Sequence, residues 1–287
     1  MRKFAVIDVG SNSVRLLFVA DGKVLYKVLQ TTRLGEGLAQ SGVLNAVAIE
    51  RTARALAFFY EKAKSEGAEE VFAFATAAVR SAKNKEEFLT RVAELCSMQV
   101  EVLSGEEEAE IGAIGALGTS DGGICDVGGA STEIVVKRDG KLVYKKSVDI
   151  GVVRLKDLCG RDKDKLLRTA ETAAENFSDM PKIDELIGIG GTATTLAALA
   201  LRLEKYSGEK ITGAAIGIEQ IRALADKLSL MTVEEIAALP CVPKGRADVL
   251  SGGAVWLSVL MQKQGIQRLI ASDTDNLEGY ALKKGLL

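Results

Sequence analysis

Residues 123 to 136 read Gly-Ile-Cys-Asp-Val-Gly-Gly-Ala-Ser-Thr-Glu-Ile-Val-Val. A short β-branched run ends at Asp126, Gly128, Gly129 and Ala130 make a small turn, and Ser131, Thr132 and Glu133 open a second apolar strand. Glycines in such a turn let backbone N–H groups approach an anion and hydroxyls add donors. An acid at the strand end suits the Mg²⁺ that phosphates bring with them. An ordinary tight hairpin uses the same Gly-Gly turn, so one copy does not decide the matter.

A second copy lies near the start of the chain. Residues 5 to 19, Ala-Val-Ile-Asp-Val-Gly-Ser-Asn-Ser-Val-Arg-Leu-Leu-Phe-Val, repeat Asp-Val-Gly-x-x-Ser with Asp8 at the corner that Asp126 takes later. The turn Asp21-Gly22 after the first hairpin is matched by Asp139-Gly140 after the second. Repetition on this scale predicts a duplicated α/β fold with a cleft between the copies, and phosphate chemistry in that cleft.

Composition agrees with two units. A chain of 287 residues buries about 75% of its unfolded surface, enough for a large core. Apolar residues make up 47%, charged residues 26%, and the net charge is −2, a globular profile without a basic face for nucleic acid. Cys96, Cys125, Cys159 and Cys241 stand far apart without a C-x-x-C pair and read as buried apolar residues in a reducing cytosol. Asp8 and Arg15 interrupt the apolar start, so neither a signal peptide nor a membrane-spanning run is expected, and the expected location is cytoplasmic. The chain has no histidine, which removes Ser-His-Asp hydrolysis, His-ligated zinc and phosphohistidine chemistry. Proton transfer is left to carboxylates, Lys, Tyr, Cys or water.

The pattern predicts strands at 3–9, 13–20 and 23–31, a loop at 31–38, and a helix from Asn45, its N-cap, to Glu66. A strand at 71–75, a helix at 84–97, a strand at 100–103 and a helix at 105–117 follow. The second half restarts with strands at 123–127, 132–138 and 141–148 and helices at 151–159 and 162–177. A strand at 184–189 then runs into Gly190-Gly191-Thr192, where a helix N-terminus favours phosphate. Helices at 217–229, 232–239 and 245–264, a strand at 267–270 and a last helix from about 276 complete the reading.

Six stretches carry a family resemblance: Ile-Asp-Val-Gly-Ser-Asn-Ser-Val-Arg-Leu-Leu (7–17), Arg-Leu-Gly-Glu-Gly-Leu (33–38), Ala-Thr-Ala-Ala-Val-Arg (75–80), Leu-Ser-Gly-Glu-Glu-Glu-Ala (103–109), Asp-Val-Gly-Gly-Ala-Ser-Thr-Glu (126–133) and Gly-Ile-Gly-Gly-Thr-Ala-Thr-Thr (188–195). Together they resemble the motifs of the exopolyphosphatase and guanosine pentaphosphate phosphohydrolase family. That family belongs to the actin-like, ribonuclease H-like superfamily of sugar kinases and Hsp70-type ATPases. The resemblance implies two actin-like domains, 1–117 and 118–287, each a mixed five-stranded sheet flanked by helices. The final helix, about 276–287, is expected to pack back onto the first domain.

The resemblance also implies roles. The second glutamate of Glu-Glu-Ala, here Glu108, matches the family's proposed catalytic base, while Glu106 and Glu107 read rather as a charged first turn that suits the helix dipole. Asp126, Glu133 and Asp8 are similar to the family's acids for Mg²⁺, with Mn²⁺ an alternative. Ser11, Asn12, Ser13, Gly128, Gly129, Ala130, Ser131, Thr132, Gly190, Gly191 and Thr192 would cradle phosphate. Arg15 resembles a phosphate-binding arginine, although on an apolar strand it also reads as a surface residue. Arg33, Arg80 and Arg246 read either as a basic path along the substrate or as solvated charges, with Arg246 the first choice.

This chain departs from the family pattern in places. Glu110 stands where an arginine is usual, placing an extra acid near the proposed base, and Ala130 replaces a glycine. The usual Ser-Asp-x-Gly-Leu-Arg-Glu-Gly has become Ser272-Asp273-Thr274-Asp275-Asn276-Leu277-Glu278-Gly279, so its arginine is missing at Leu277. Longer members append a C-terminal helical domain that grips polyphosphate. A chain ending at Leu287 is expected to favour short polyphosphates or a nucleotide pentaphosphate. Expected partners are polyphosphate or guanosine polyphosphate, with no nucleic acid or membrane, and a homodimer is compatible. Three functions compete: a Mg²⁺-dependent phosphoanhydride hydrolase, an actin-like kinase or ATPase, and a catalytically slow sensor of guanosine polyphosphates.

Overall fold

A computed structural model describes residues 2–287. The first half runs β1 (Lys3–Val9), β2 (Ser13–Ala20), β3 (Lys23–Thr31), α1 (Leu38–Ser41), α2 (Ala46–Ser65), β4 (Glu70–Ala75), α3 (Ala77–Ser81), α4 (Lys85–Cys96), β5 (Glu101–Val102) and α5 (Gly105–Leu117). The second half continues with β6 (Gly122–Val127), β7 (Thr132–Arg138), β8 (Lys141–Val148), α6 (Val152–Cys159), α7 (Lys163–Ala174), β9 (Glu185–Ile189) and α8 (Gly190–Ala200). It ends with α9 (Gly208–Ile211), β10 (Ala215–Gly217), α10 (Ile218–Leu230), α11 (Val233–Ala237), α12 (Ala247–Gln264), β11 (Arg268–Ala271) and α13 (Asn276–Lys283).

The duplication is visible in the sheets. One is ordered β3-β2-β1-β4-β5 and the other β8-β7-β6-β9-β11-β10. In each, an antiparallel meander of three strands is extended by strands parallel to its first. The meanders close through Asp21-Gly22 and Asp139-Gly140, where both residues have positive φ (46° and 71°, 51° and 71°). That geometry follows the right-handed twist of the strands it joins. Equal sheets of five strands are expected from the sequence, but the second has six. The extra β10 pairs antiparallel with β11 over only Ala215 to Gly217, too short to leave a period-two pattern. The single-turn helices α1, α3 and α9 escape sequence reading for the same reason.

Caps fix the helix ends that matter for the site. The Asn45 side chain accepts from Val47 N–H at 2.8 Å and starts α2. Ser104 and Glu107 form a reciprocal capping box at the start of α5, so Glu107 is a structural first-turn acid. Cys96, Cys125 and Cys159 are buried as expected, whereas Cys241 is half-buried.

An apolar core surrounds each sheet, and Trp256 of α12 is fully enclosed in the second. A third apolar group joins Phe4, Val6 and Leu17 of the first sheet to Ile111 of α5 and to Leu277 and Tyr280 of α13. The last helix therefore returns to the first sheet. It crosses α5 almost backbone to backbone. A Cβ on Gly115 would lie 2.1 Å from the Asp275 carbonyl oxygen, and one on Gly279 would lie 1.7 Å from that of Ile111. Among the described residues, no helix is long and apolar enough to cross a membrane.

Candidate active site

Strand register sets the corners of the site. Asp8 on β1 lies opposite Arg15 on β2, and Asp126 on β6 lies opposite Glu133 on β7. The repeated corner thus holds an acid and a base in one copy and two acids in the other.

The two hairpin turns meet directly. A Cβ on Gly129 would sit 2.7 Å from the Ser11 Cβ, so a side chain there would push the halves apart. Between the turns lies a cavity of about 100 Å³. Of the residues singled out by sequence, its walls include Asp8, Ser11, Asn12, Ser13, Arg15, Glu108, Asp126, Gly128, Gly129, Ala130, Ser131, Gly190, Gly191, Thr192 and Arg246. Thr76 and Asn276 also line it and were not singled out. Among the described residues, the amides of Ser11, Asn12, Gly129 and Ala130 donate to no backbone carbonyl. The first turn of α8 opens onto the same cavity without a side-chain cap, which leaves its N–H groups for an anion.

Four expected residues lie off the cavity wall. Arg33 pairs with Asp248 at 3.0 Å, a carboxylate that also binds Lys156 at 2.7 Å. Arg80 donates to the Glu108 carboxylate at 2.8 Å and to the Leu103 carbonyl at 2.9 Å, so it meets the wall through Glu108. The Thr132 hydroxyl donates to the Ile150 carbonyl at 2.6 Å and accepts from Trp256 Nε1 at 2.9 Å. Glu133 stands behind Asp126 and accepts from the Ser147 hydroxyl at 2.5 Å.

The charges are unevenly matched. Arg15 donates to Asp8 on its own sheet and to Asp275 ahead of α13, so two buried carboxylates hold it. Arg246 has no carboxylate within ion-pair distance among the described residues; its guanidinium donates to the Thr195 hydroxyl at 3.2 Å. Burial, followed by the charge of Arg15, lowers its pKa to about 10. It packs so closely on α8 that a Cβ on Gly191 would fall 1.8 Å from its Nη1.

The acids show the opposite imbalance. Burial first, then the charges of Glu108 and Asp275, lifts Asp126 to about 7, although Asn276 donates to it at 3.0 Å. Burial raises Glu108 above the ordinary carboxylate range despite Arg80, and raises Glu133 further with help from Glu108 and Asp126. Asp8 Oδ1 and Glu133 Oε2 are buried without a hydrogen-bond partner. Orphaned oxygens and crowded acids suit a divalent cation. The described residues contain no compact group of three acids able to enclose one. An ion of the Mg²⁺ type, which takes one or two carboxylates and completes its shell with water and phosphate oxygens, would need only Asp126 and Asp8 from this wall.

Glu110, expected near the proposed base, lies on the same helix as Glu108 but does not line the cavity. It pairs with Lys145 at 2.6 Å and is absent from the groups that shift Glu108.

Two mixed sheets built on one repeated meander, with their hairpin turns facing a common cavity, define an α/β protein of duplicated fold. The chain belongs to the Ppx/GppA phosphatase family, whose model matches residues 6–287. It is 32% identical to exopolyphosphatase 2 of Mycobacterium tuberculosis over 98% of both chains. It is 30% identical to the guanosine-5'-triphosphate,3'-diphosphate pyrophosphatase of Vibrio vulnificus, covering 99% of this chain and 58% of that protein. The crystal structure of the Aquifex aeolicus family member matches with a TM-score of 0.79 and 31% identity, over 99% of this chain and 98% of that one.

Proposed function

We propose that this protein hydrolyses the terminal phosphoanhydride bond of inorganic polyphosphate or guanosine pentaphosphate, releasing orthophosphate. The observation that carries the reading is Arg246. A half-buried guanidinium without a carboxylate partner among the described residues, beside the open amides of α8 and two glycine turns, is a preformed place for a phosphoryl group. The cavity of about 100 Å³ holds more than one water-sized group, as a phosphoryl group with its attacking water requires.

In this reading Arg246 and the amides of Ser11, Asn12, Gly129 and Ala130 hold the oxygens of the terminal phosphoryl group. Glu108 accepts the proton of a water in line with the phosphorus, and the shortened chain leaves with the bridging oxygen. Arg80 keeps the Glu108 carboxylate oriented. Asp126 and Asp8, the two expected metal acids on the cavity wall, would hold Mg²⁺ with Glu133 behind them, and the ion would offset the negative charge of the phosphate oxygens. A cytoplasmic setting suits the four unpaired thiols.

Phosphate release from polyphosphate, guanosine pentaphosphate and ATP, each with and without Mg²⁺, tests the proposal. Mg²⁺-dependent release from either of the first two, with ATP inert, is the expected result. Tight binding without release would mark a sensor instead, and release from ATP alone an ATPase.

A further inference from the structure

We infer that Asp275 is a specificity-determining residue that limits how much negative charge a substrate can bring into the cleft. The inference rests on reading the cavity as a phosphoanhydride site.

Next to the small cavity lies a larger one of about 440 Å³, which shares Arg15, Leu29, Gly190, Gly191 and Arg246 with it. A phosphate chain whose end occupies the small cavity and whose body turns past Arg246 passes through this space. Its cations are Arg15, Lys27 and Arg246. Against them stand Asp8 and Asp275 on Arg15, and Asp273 and Glu278 on Lys27, each of the latter at 3.0 Å. Counting Asp8 and Glu278, which pair with these cations without lining this cavity, four acids face three bases, and of the three cations Arg246 alone has no carboxylate partner among the described residues. The rest of the wall is apolar or neutral, with Val28, Leu29, Pro243 and Leu277 and the Tyr206 ring. Such a passage does not reward additional phosphates.

Asp275 is the acid on which this balance turns. It comes from the far end of the chain, 260 residues after Arg15, and its carboxylate is buried against that guanidinium. One oxygen serves Arg15 and the other accepts from Leu277 N–H at 3.0 Å, capping α13. Capping does not need a charge, because Asn and Ser cap helices about as well as Asp. The ionised form is therefore an addition to the structural task. It occupies the Nη1 edge of Arg15 that a phosphate would otherwise meet.

Asp275→Asn and Asp275→Ser keep a capping oxygen and remove the charge. Equilibrium binding and steady-state hydrolysis are measured for pyrophosphate, tripolyphosphate and long-chain polyphosphate, each at low and moderate salt. The wild type is expected to gain little affinity with chain length. Both variants are expected to bind longer chains more tightly, by about tenfold for the longest, as removal of one like charge at short range implies. The gain should grow with length, appear in KM more than in kcat, and shrink as salt is raised. A length-independent change, a loss of affinity in both variants, or no change would overturn the inference and leave Asp275 as a cap. The hydrolase reading fails separately, if the wild type binds these anions but releases no phosphate. If the wild type neither binds nor hydrolyses them, both fail.

Discussion

Asp126 ionises near 3.8 in an unfolded chain, and burial together with the charges of Glu108 and Asp275 lifts it to about 7 in the folded protein. The folded state therefore keeps a proton that the unfolded state has released between those values. The stabilising contribution of this group is complete below 3.8 and is lost as pH rises through about 7. A bound cation would restore it by stabilising the ionised form. Calorimetric unfolding should then show little effect of Mg²⁺ at pH 5. At pH 8 it should show stabilisation of about 2–3 kcal/mol with Mg²⁺ in hundredfold excess over its dissociation constant. Asp126→Asn should weaken the Mg²⁺ response and reduce the pH dependence in this window, part of which remains because burial also raises Glu108 and Glu133. An undiminished Mg²⁺ response in that variant would reduce Asp126 to a turn residue.

Among the elements, the α5–α13 crossing positions the site most directly. Glu108 lies near the start of α5, while Asp275 and Asn276 begin α13, so the approach of these helices sets the distance between the acid and the cleft wall. Gly279→Ala would drive a Cβ to within 1.7 Å of the Ile111 carbonyl oxygen. Backbone cannot yield as a flexible side chain can, so the cost should reach about 3 kcal/mol or more, at the upper end for overpacking. Thermal unfolding should show the midpoint fall by about 5 °C or more. An unchanged midpoint would mean that the two helices are not held this closely. The elements were largely legible in the sequence, and the reasons are local. The repeated Asp-Gly turns fix the ends of the meander strands, and Asn45 and Ser104 fix the starts of two helices. Contacts between distant residues were not legible. Asp275 meets Arg15 across 260 positions and Asn276 meets Asp126 across 150, and no local pattern marks either pair. Arg33 looked available to a phosphate chain for the same reason, because its partner Asp248 lies on α12. Arg80 gave the opposite surprise. Its motif pointed toward the substrate, and its side chain reaches the cleft only through Glu108.

The molecule as a whole places two copies of one hairpin against a single cavity, and neither copy alone encloses it. The first sheet brings Asp8, Arg15 and the Ser11 turn; the second brings Asp126, the Gly129 turn and the open end of α8. Glu108 lies on the helix that leads from one half to the other, close to acids of both and tied to Arg80 of the first. The central claim is that Glu108 activates a water there. Glu108→Gln keeps the shape and loses the basicity, whereas Glu106→Gln alters an exposed first-turn acid paired with Lys145. The decisive measurement is kcat and KM for phosphate release by both variants beside the wild type, on whichever phosphoanhydride the wild type hydrolyses. The account predicts that Glu108→Gln lowers kcat by about 10²- to 10⁴-fold with KM nearly unchanged, and that Glu106→Gln retains wild-type turnover. Equal effects from the two variants, or a change confined to KM in Glu108→Gln, would contradict it.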